Sequence, residues 1–305
     1  MAIISPRTRV AVLRGGPSSE YEVSLKTGGH VLAILHQMPD AYEPLDVFIS
    51  RDGEWHSGGI VHEPHRALKH VDVVFNALHG AYGEDGQVQK LLESLKVPFT
   101  GSGAAATALA MNKEMAKRLY RERALPTPEH ELVTEDNFNE DLLIRIFRSY
   151  LHPVIVKPSN ASGSLGVRLA RTFHELKEAI QETFSHSPKV LVEEYIKGNE
   201  ATCSVIEEAK GEKFYALLPA CKSNFSLTVD ENKQIEGMAK QAHEALGLRH
   251  YSGSDFIVTP RRKIYILETN SLPALHEDSL MHNSLDATGW RGRDFVDHVI
   301  KLAMC

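Results

Sequence analysis

Three oxygen-bearing side chains late in the chain, Asp255, Glu268 and Asn270, have the types and spacing to grip a hard divalent cation. Asp255 opens the apolar run DFIV, Pro260-Arg261-Arg262-Lys263 reads as a hairpin turn, and residues 264–267 lead straight into Glu268-Thr269-Asn270. Side chains alternate along a strand with period two, so Glu268 and Asn270 share a face, and antiparallel pairing can bring Asp255 opposite them. Two carboxylates and an amide suit Mg2+, with phosphate oxygens and water completing its shell. Acids at strand ends are common, so the reading gains weight only with a phosphate site nearby.

Such a site is legible upstream. Lys157 closes an apolar strand and is followed by Ser159-Asn160-Ala161-Ser162-Gly163-Ser164-Leu165-Gly166, a run of small residues whose N–H groups can close over phosphates while a lysine supplies point charge. Ser164 is the candidate contact in that loop. Lys113, at the start of a helix, is a second phosphate lysine. The segment Val192-Glu193-Glu194-Tyr195-Ile196 reads as a hinge strand lining a nucleotide base, with Glu193, Glu194 and Ile196 as its contacts, and Glu200 beyond Gly198 is placed to accept from a ribose hydroxyl.

The elements that must hold these groups alternate between strand and helix. Residues 9–13 form a short β-branched run broken by Gly15-Gly16, residues 22–38 carry helical spacing, and strands follow at 45–49 and 72–78. A helix at 87–95 and a brief return to the sheet at 97–100 complete a βαβ-rich unit, for which a parallel sheet with covering helices is expected. Two loops here face the carboxyl edge where open α/β sheets bind ligands. GGPSSEYEVS, residues 15–24, follows a strand and opens a helix, so its N–H groups are expected to face an anion or a substrate carboxylate. HGAYGEDG, residues 79–86, offers His79 for a structural hydrogen bond to the loop and Glu84-Asp85 as a helix cap, each compatible with a substrate role. Further on, a helix pair runs to about residue 123, a helix covers 140–150, and strands 154–156 and 167–170 flank the small-residue loop as a hairpin. Strands at 190–193, 202–206, 214–218, 255–258 and 264–267 follow, with a helix over 231–246 among them.

The remainder of the sequence excludes several classes. The 305 residues carry a net charge of −6, without the basic stripe that marks nucleic-acid binding. Cys203, Cys221 and Cys305 are odd in number and far apart, which suits free thiols in a reducing compartment. No run of about 18 apolar residues is present, residues 1–10 lack the apolar core of a signal peptide, and a cytoplasmic location is expected.

Taken in order, GGPSSEYEVSL, HGAYGEDGQVQ, FTGSGAAATALAMNKEMAK, PVIVKPSNASGSLGV, LVEEYIKGNEAT and YILETNSLP closely resemble the D-alanine–D-alanine ligases of the ATP-grasp superfamily, over nearly the whole chain. The resemblance implies a three-domain ATP-grasp architecture of α/β and α+β class. An N-terminal parallel α/β substrate domain (1–102) would be followed by two α+β lobes, a central one (103–194) and a C-terminal catalytic one (195–305). It implies ATP and two magnesium ions, with Mn2+ able to substitute, held between the last two. The implied reaction phosphorylates the carboxylate of one D-alanine and lets the amine of a second attack the acyl phosphate, feeding peptidoglycan precursor synthesis. Carried over, Lys113 and Lys157 hold ATP phosphates, Glu193 lies beside the adenine and Glu200 at the ribose. Asp255, Glu268 and Asn270 hold the metal. Glu20 binds the first ammonium beside His79, and Ser279 meets the second carboxylate. The family is commonly dimeric, so a homodimer acting on small-molecule substrates is expected.

The acceptor end departs from the family pattern. An arginine two residues before the metal aspartate is here Gly253; losing such a donor costs about 3–4 kcal/mol of transition-state stabilisation. A glycine after the motif proline is Ala274, a serine of the small-residue loop is Gly163, and the long lid over the active site is shortened around residues 217–226. Lys222, on that segment, is the candidate replacement cation. His276, Glu277, Asp278 and His282 cluster without a recognised metal-ligand spacing. Two alternatives stand beside the D-alanine reading: an ATP-grasp ligase with another acceptor or weak ligation, and a non-ligating ATP-binding homologue acting through a partner.

Overall fold

The computed structural model describes residues 7–163, 166–222 and 225–305. The first sheet is ordered β4-β3-β2-β1-β5, from β1 (Thr8–Gly15), β2 (Tyr42–Ile49), β3 (Trp55–Ser57), β4 (Ile60–His62) and β5 (Val73–Asn76). β1 pairs in parallel with β2 and β5, and β3 and β4 append an antiparallel hairpin. Being central and covered on both faces, β1 reads Val-Ala-Val-Leu without alternation, and all four side chains are fully buried. Helices α1 (Tyr21–His36), α2 (Pro64–Ala67) and α3 (Gln87–Leu95) accompany this sheet. The return to the sheet expected near residues 97–100 is a single bridge, Val74 to Phe99.

Two helices then cross over: α4 (Ala104–Met111) and α5 (Lys113–Glu122). Asn112 caps α5 by accepting from the Met115 N–H, and the Lys113 N–H donates to Ser159 O at 2.9 Å, so the start of α5 is pinned beside the small-residue loop. The second sheet is antiparallel, in the order β6-β9-β7-β8. Its strands are β6 (His130–Thr134), β7 (Val154–Pro158), β8 (Arg168–Ala170) and β9 (Lys189–Glu194), packed on α6 (Glu140–Ser149) and α7 (Phe173–Phe184).

The third sheet runs β11-β10-β13-β14, with β12 also on β10. Its members are β10 (Asn199–Ala209), β11 (Glu212–Ala216), β12 (Ala220–Cys221), β13 (Tyr251–Val258) and β14 (Ile264–Asn270). α8 (Val229–Ala245) and residues of α4 and α5 share its core, whereas α9 (Leu280–Ala287) and α10 (Gly292–Met304) return to the core around β1 and α1.

The strand expected to open at Asp255 begins four residues earlier. Tyr251-Ser252-Gly253-Ser254 is too small and polar to read as a strand. Its hydroxyls are nevertheless buried and partnered, Ser252 by His243 and Ser254 by Thr269, each at 2.8 Å. Among the described residues no helix is long and apolar enough to cross a membrane, and all three cysteines are free.

Candidate active site

Asp255 and Glu268 stand directly opposite each other on β13 and β14, with a register shift just after Asp255. The Asp255 carboxylate accepts from Thr202 Oγ1 at 2.5 Å and from Asn270 Nδ2 at 3.3 Å, while Glu268 Oε2 lies 2.5 Å from Lys113 Nζ. Burial, and then the charge of Glu268, push the Asp255 carboxyl above its ordinary range. Burial acts the same way on Glu268, but the charges of Lys113 and Lys157 outweigh it and hold that carboxyl below its ordinary range. Two facing carboxylates with an amide beside them form an oxygen donor set that fits a hard divalent cation. No group of three His, Cys, Asp or Glu side chains with metal-binding geometry occurs among the described residues, the histidines near Glu277 included.

A cavity of about 240 Å3 opens between the second and third sheets. Lys113, Lys157, Glu193, Glu194, Ile196, Glu200, Lys222, Asp255 and Glu268 all line it, along with apolar side chains that include Ile155, Val167, Ile257 and Leu267. A lining that combines apolar side chains with lysines and carboxylates suits a base and its phosphates. Glu193 is buried between two lysines, with Lys157 at 2.9 Å and Lys117 at 3.2 Å; their charges overcome burial and carry its carboxyl down to about 2. Glu194 accepts from the Glu129 N–H and closes the β6–β9 edge. Glu200 is paired with Lys222 at 2.5 Å. Ser164 lies outside the described residues.

A second cavity, also about 240 Å3, is lined by Glu20, His79, Glu84, Asn270, Pro273 and Ala274, and shares Gly163, Lys222, Asp255 and Glu268 with the first. Its charge is mostly negative. Glu20 Oε1 is buried without a partner, and Glu84 is pushed up to about 8 by burial and then by Glu20. That pair is complementary to an ammonium group. His79 Nε2 meets Thr27 Oγ1 at 2.9 Å, and burial pushes the ring down to about 4.

Three expectations take a different form here. In the loop at residues 15–24, the N–H groups of Gly15, Gly16, Ser18 and Glu20 are spent within the protein, on Ser24 Oγ, Ile49 O, Gly16 O and Ser18 Oγ, and Glu20 is the loop residue that lines the second cavity. The Ser279 hydroxyl caps α9 by accepting from the His282 N–H at 3.2 Å, and Ser279 is not among the lining residues of the second cavity. A Cβ on Gly253 would lie 3.1 Å from Pro273 Cβ, so Pro273 crowds the position from which the family's arginine would project. Lys117 was not singled out in the sequence; Glu84, expected there as a helix cap alongside a substrate role, accepts from the Gly80 N–H at 2.9 Å, while Asp85 accepts from the Gln87 N–H at 3.0 Å. The signal for Lys117 was its spacing one helical turn after Lys113 on α5.

A nucleotide-sized cavity between two antiparallel sheets, joined at a carboxylate pair to a second cavity that the N-terminal unit helps to line, is the arrangement of an ATP-grasp ligase. The D-alanine–D-alanine ligase structure from Coxiella burnetii superposes with a TM-score of 0.88, covering 98% of this chain and 95% of its own at 24% identity. The ligase from Bacillus anthracis, complexed with ATP, gives 0.81 over 97% of both chains at 28% identity. The family models "D-ala D-ala ligase N-terminus" and "D-ala D-ala ligase C-terminus" match residues 60–102 and 119–301. The D-alanine–D-alanine ligase of Geobacter sulfurreducens is 34% identical over 96% of this chain and 93% of its own. The chain belongs to the D-alanine–D-alanine ligase family and is a ligase.

Proposed function

We propose that the protein is an ATP- and Mg2+-dependent carboxylate–amine ligase that joins two D-alanines through an acyl phosphate, in the cytoplasm and as a homodimer, for peptidoglycan precursor synthesis. The observation that carries this reading is the junction of the two cavities at Gly163, Lys222, Asp255 and Glu268. A nucleotide in the first cavity and an amino acid in the second would meet only there. Glu20, with Glu84 behind it, receives the ammonium of the first D-alanine and turns its carboxylate toward the junction. Lys113, Lys157 and Lys222 supply positive charge to the transferring phosphoryl group, whose transfer depends on positioning and charge stabilisation. Asp255, Glu268 and Asn270 would hold magnesium, which supplies Lewis-acid charge to the phosphates.

A second reading, ligation to an acceptor other than D-alanine, is favoured by Gly253, where no cation projects toward the acceptor. The test is incubation with ATP, Mg2+ and single or paired D-amino acids, followed by phosphate release and mass spectrometry. D-alanyl-D-alanine as the main product supports the first reading, and a mixed dipeptide or ester supports the second. ATP binding without turnover on any D-amino or hydroxy acid would reject both.

A further inference from the structure

Lys117 has no exposed surface, yet it carries an ammonium group. Its Nζ donates to Thr127 Oγ1 at 2.9 Å, the Thr127 hydroxyl donates to Ile266 O at 2.8 Å, and Glu193 Oε1 lies 3.2 Å away. Glu193 Oε2 is 2.9 Å from Lys157. Lys157 lines the nucleotide cavity, as Glu193 does, and Lys117 does not. A buried lysine is costly to keep charged, and burial outweighs Glu193's attraction, lowering Lys117 to about 8. A lysine kept there against that cost calls for an effect on its neighbours.

We propose that Lys117 is a positioning residue for nucleotide phosphates: it neutralises Glu193 from behind the cavity and so leaves the charge of Lys157 free for phosphate. The inference rests on the ATP reading above. With both lysines present, the trio around Glu193 carries a net single positive charge facing the cavity. Without Lys117, Glu193 and Lys157 cancel, and a polyanion entering the cavity meets a neutral pair. Adenosine, which has no phosphates, would not register the change.

The experiment compares ATP and adenosine binding by calorimetry, in the presence of Mg2+, for the full chain and three variants. Lys117→Met should weaken ATP by about tenfold or more while adenosine stays within about twofold. The KM for ATP should rise more than kcat falls. In Lys117→Met/Glu193→Gln, where no carboxylate captures Lys157, the ratio of ATP to adenosine affinity should return toward that of the unchanged protein. An unchanged ratio in Lys117→Met, or an equal fall in the double variant, overturns the proposal, because a merely structural lysine would weaken both ligands together. If Lys117→Met does not fold, Lys117→Gln, which keeps a donor for Thr127, is read the same way. Failure of both to fold also counts against the proposal, since Glu193 retains Lys157 as its partner. Failure of the unchanged protein to bind ATP would instead reject the ATP reading.

Discussion

Lys222 Nζ lies 2.5 Å from Glu200 Oε2, tying the segment after β12 to the start of β10. Lys222 lines both cavities. Burial opposes its charge, but the bond to Glu200 and the surrounding carboxylates hold the ammonium above its usual range. Placed at the junction, it can serve as the cation that Gly253 does not provide.

Replacing Lys222 by alanine should therefore reduce D-alanine-dependent phosphate release by about a hundred- to a thousandfold. The pair with Glu200 is about half exposed on both sides, and such pairs contribute about 0–1 kcal/mol, so the melting temperature should hardly move. Equal rates in the two proteins would remove Lys222 from the chemistry.

Asp255→Asn should separate stability from activity. It relieves the repulsion between two facing carboxylates, so the ligand-free protein should melt at the same temperature or slightly higher. Turnover should fall by about a hundredfold or more, because one anionic metal ligand is gone. Chelation of divalent cations should silence the unchanged enzyme, and Mg2+ with ATP should raise its melting temperature but not the variant's. A variant that retains full Mg2+-dependent turnover would exclude Asp255 as a ligand.

His250 gives a pH dependence of known sign. Its Nδ1 accepts from the Gly101 N–H at 3.1 Å, and burial carries the ring down to about 4. The unfolded chain takes up a proton near pH 6.5 and the folded one only near 4, so stability is full above the first value and declines as pH falls toward the second. The total is up to about 3 kcal/mol. His250 has φ +64°, which asparagine tolerates better than most residues, so His250→Asn should flatten that part of the profile. Thermal melts across this range check it; parallel profiles would show that His250 is not responsible.

Tyr120→Phe probes the support behind the face that carries Asp255 and Glu268. The buried Tyr120 hydroxyl donates to Thr269 Oγ1 at 2.8 Å, and Thr269 also meets Ser254, so α5 holds both strands beside Glu268 and Asp255. The change should cost about 1 kcal/mol and lower the melting temperature by about 2–4 °C. Turnover should fall less than tenfold, since the ladder between β13 and β14 persists. A larger loss would mean that Tyr120 acts on the reacting groups.

Much of this was legible in the sequence where chemistry and local pattern coincide. Period two places Glu268 and Asn270 on one face of β14, and the hairpin turn brings Asp255 opposite Glu268. The helix over Gln87–Leu95 has the expected bounds. Helices α7, α9 and α10 and the β3–β4 hairpin were not singled out, and the YSGS start of β13 was hidden because its small polar residues become strand-like only when their hydroxyls find buried partners.

By itself the sequence determined the kinds of groups present and their order along the chain: the lysines at 113 and 157, the glutamates at 193 and 194, the carboxylates of β13 and β14, and the glycine at 253. Only the tertiary structure decided which charges neutralise which. Lys113 meets Glu268 across 155 positions of chain, Lys117 and Lys157 share Glu193, and Lys222 takes Glu200. The physical reason is that an ion pair's strength and a buried group's charge state depend on separation and on access to water. Packing sets both, by bringing together residues that the sequence keeps far apart.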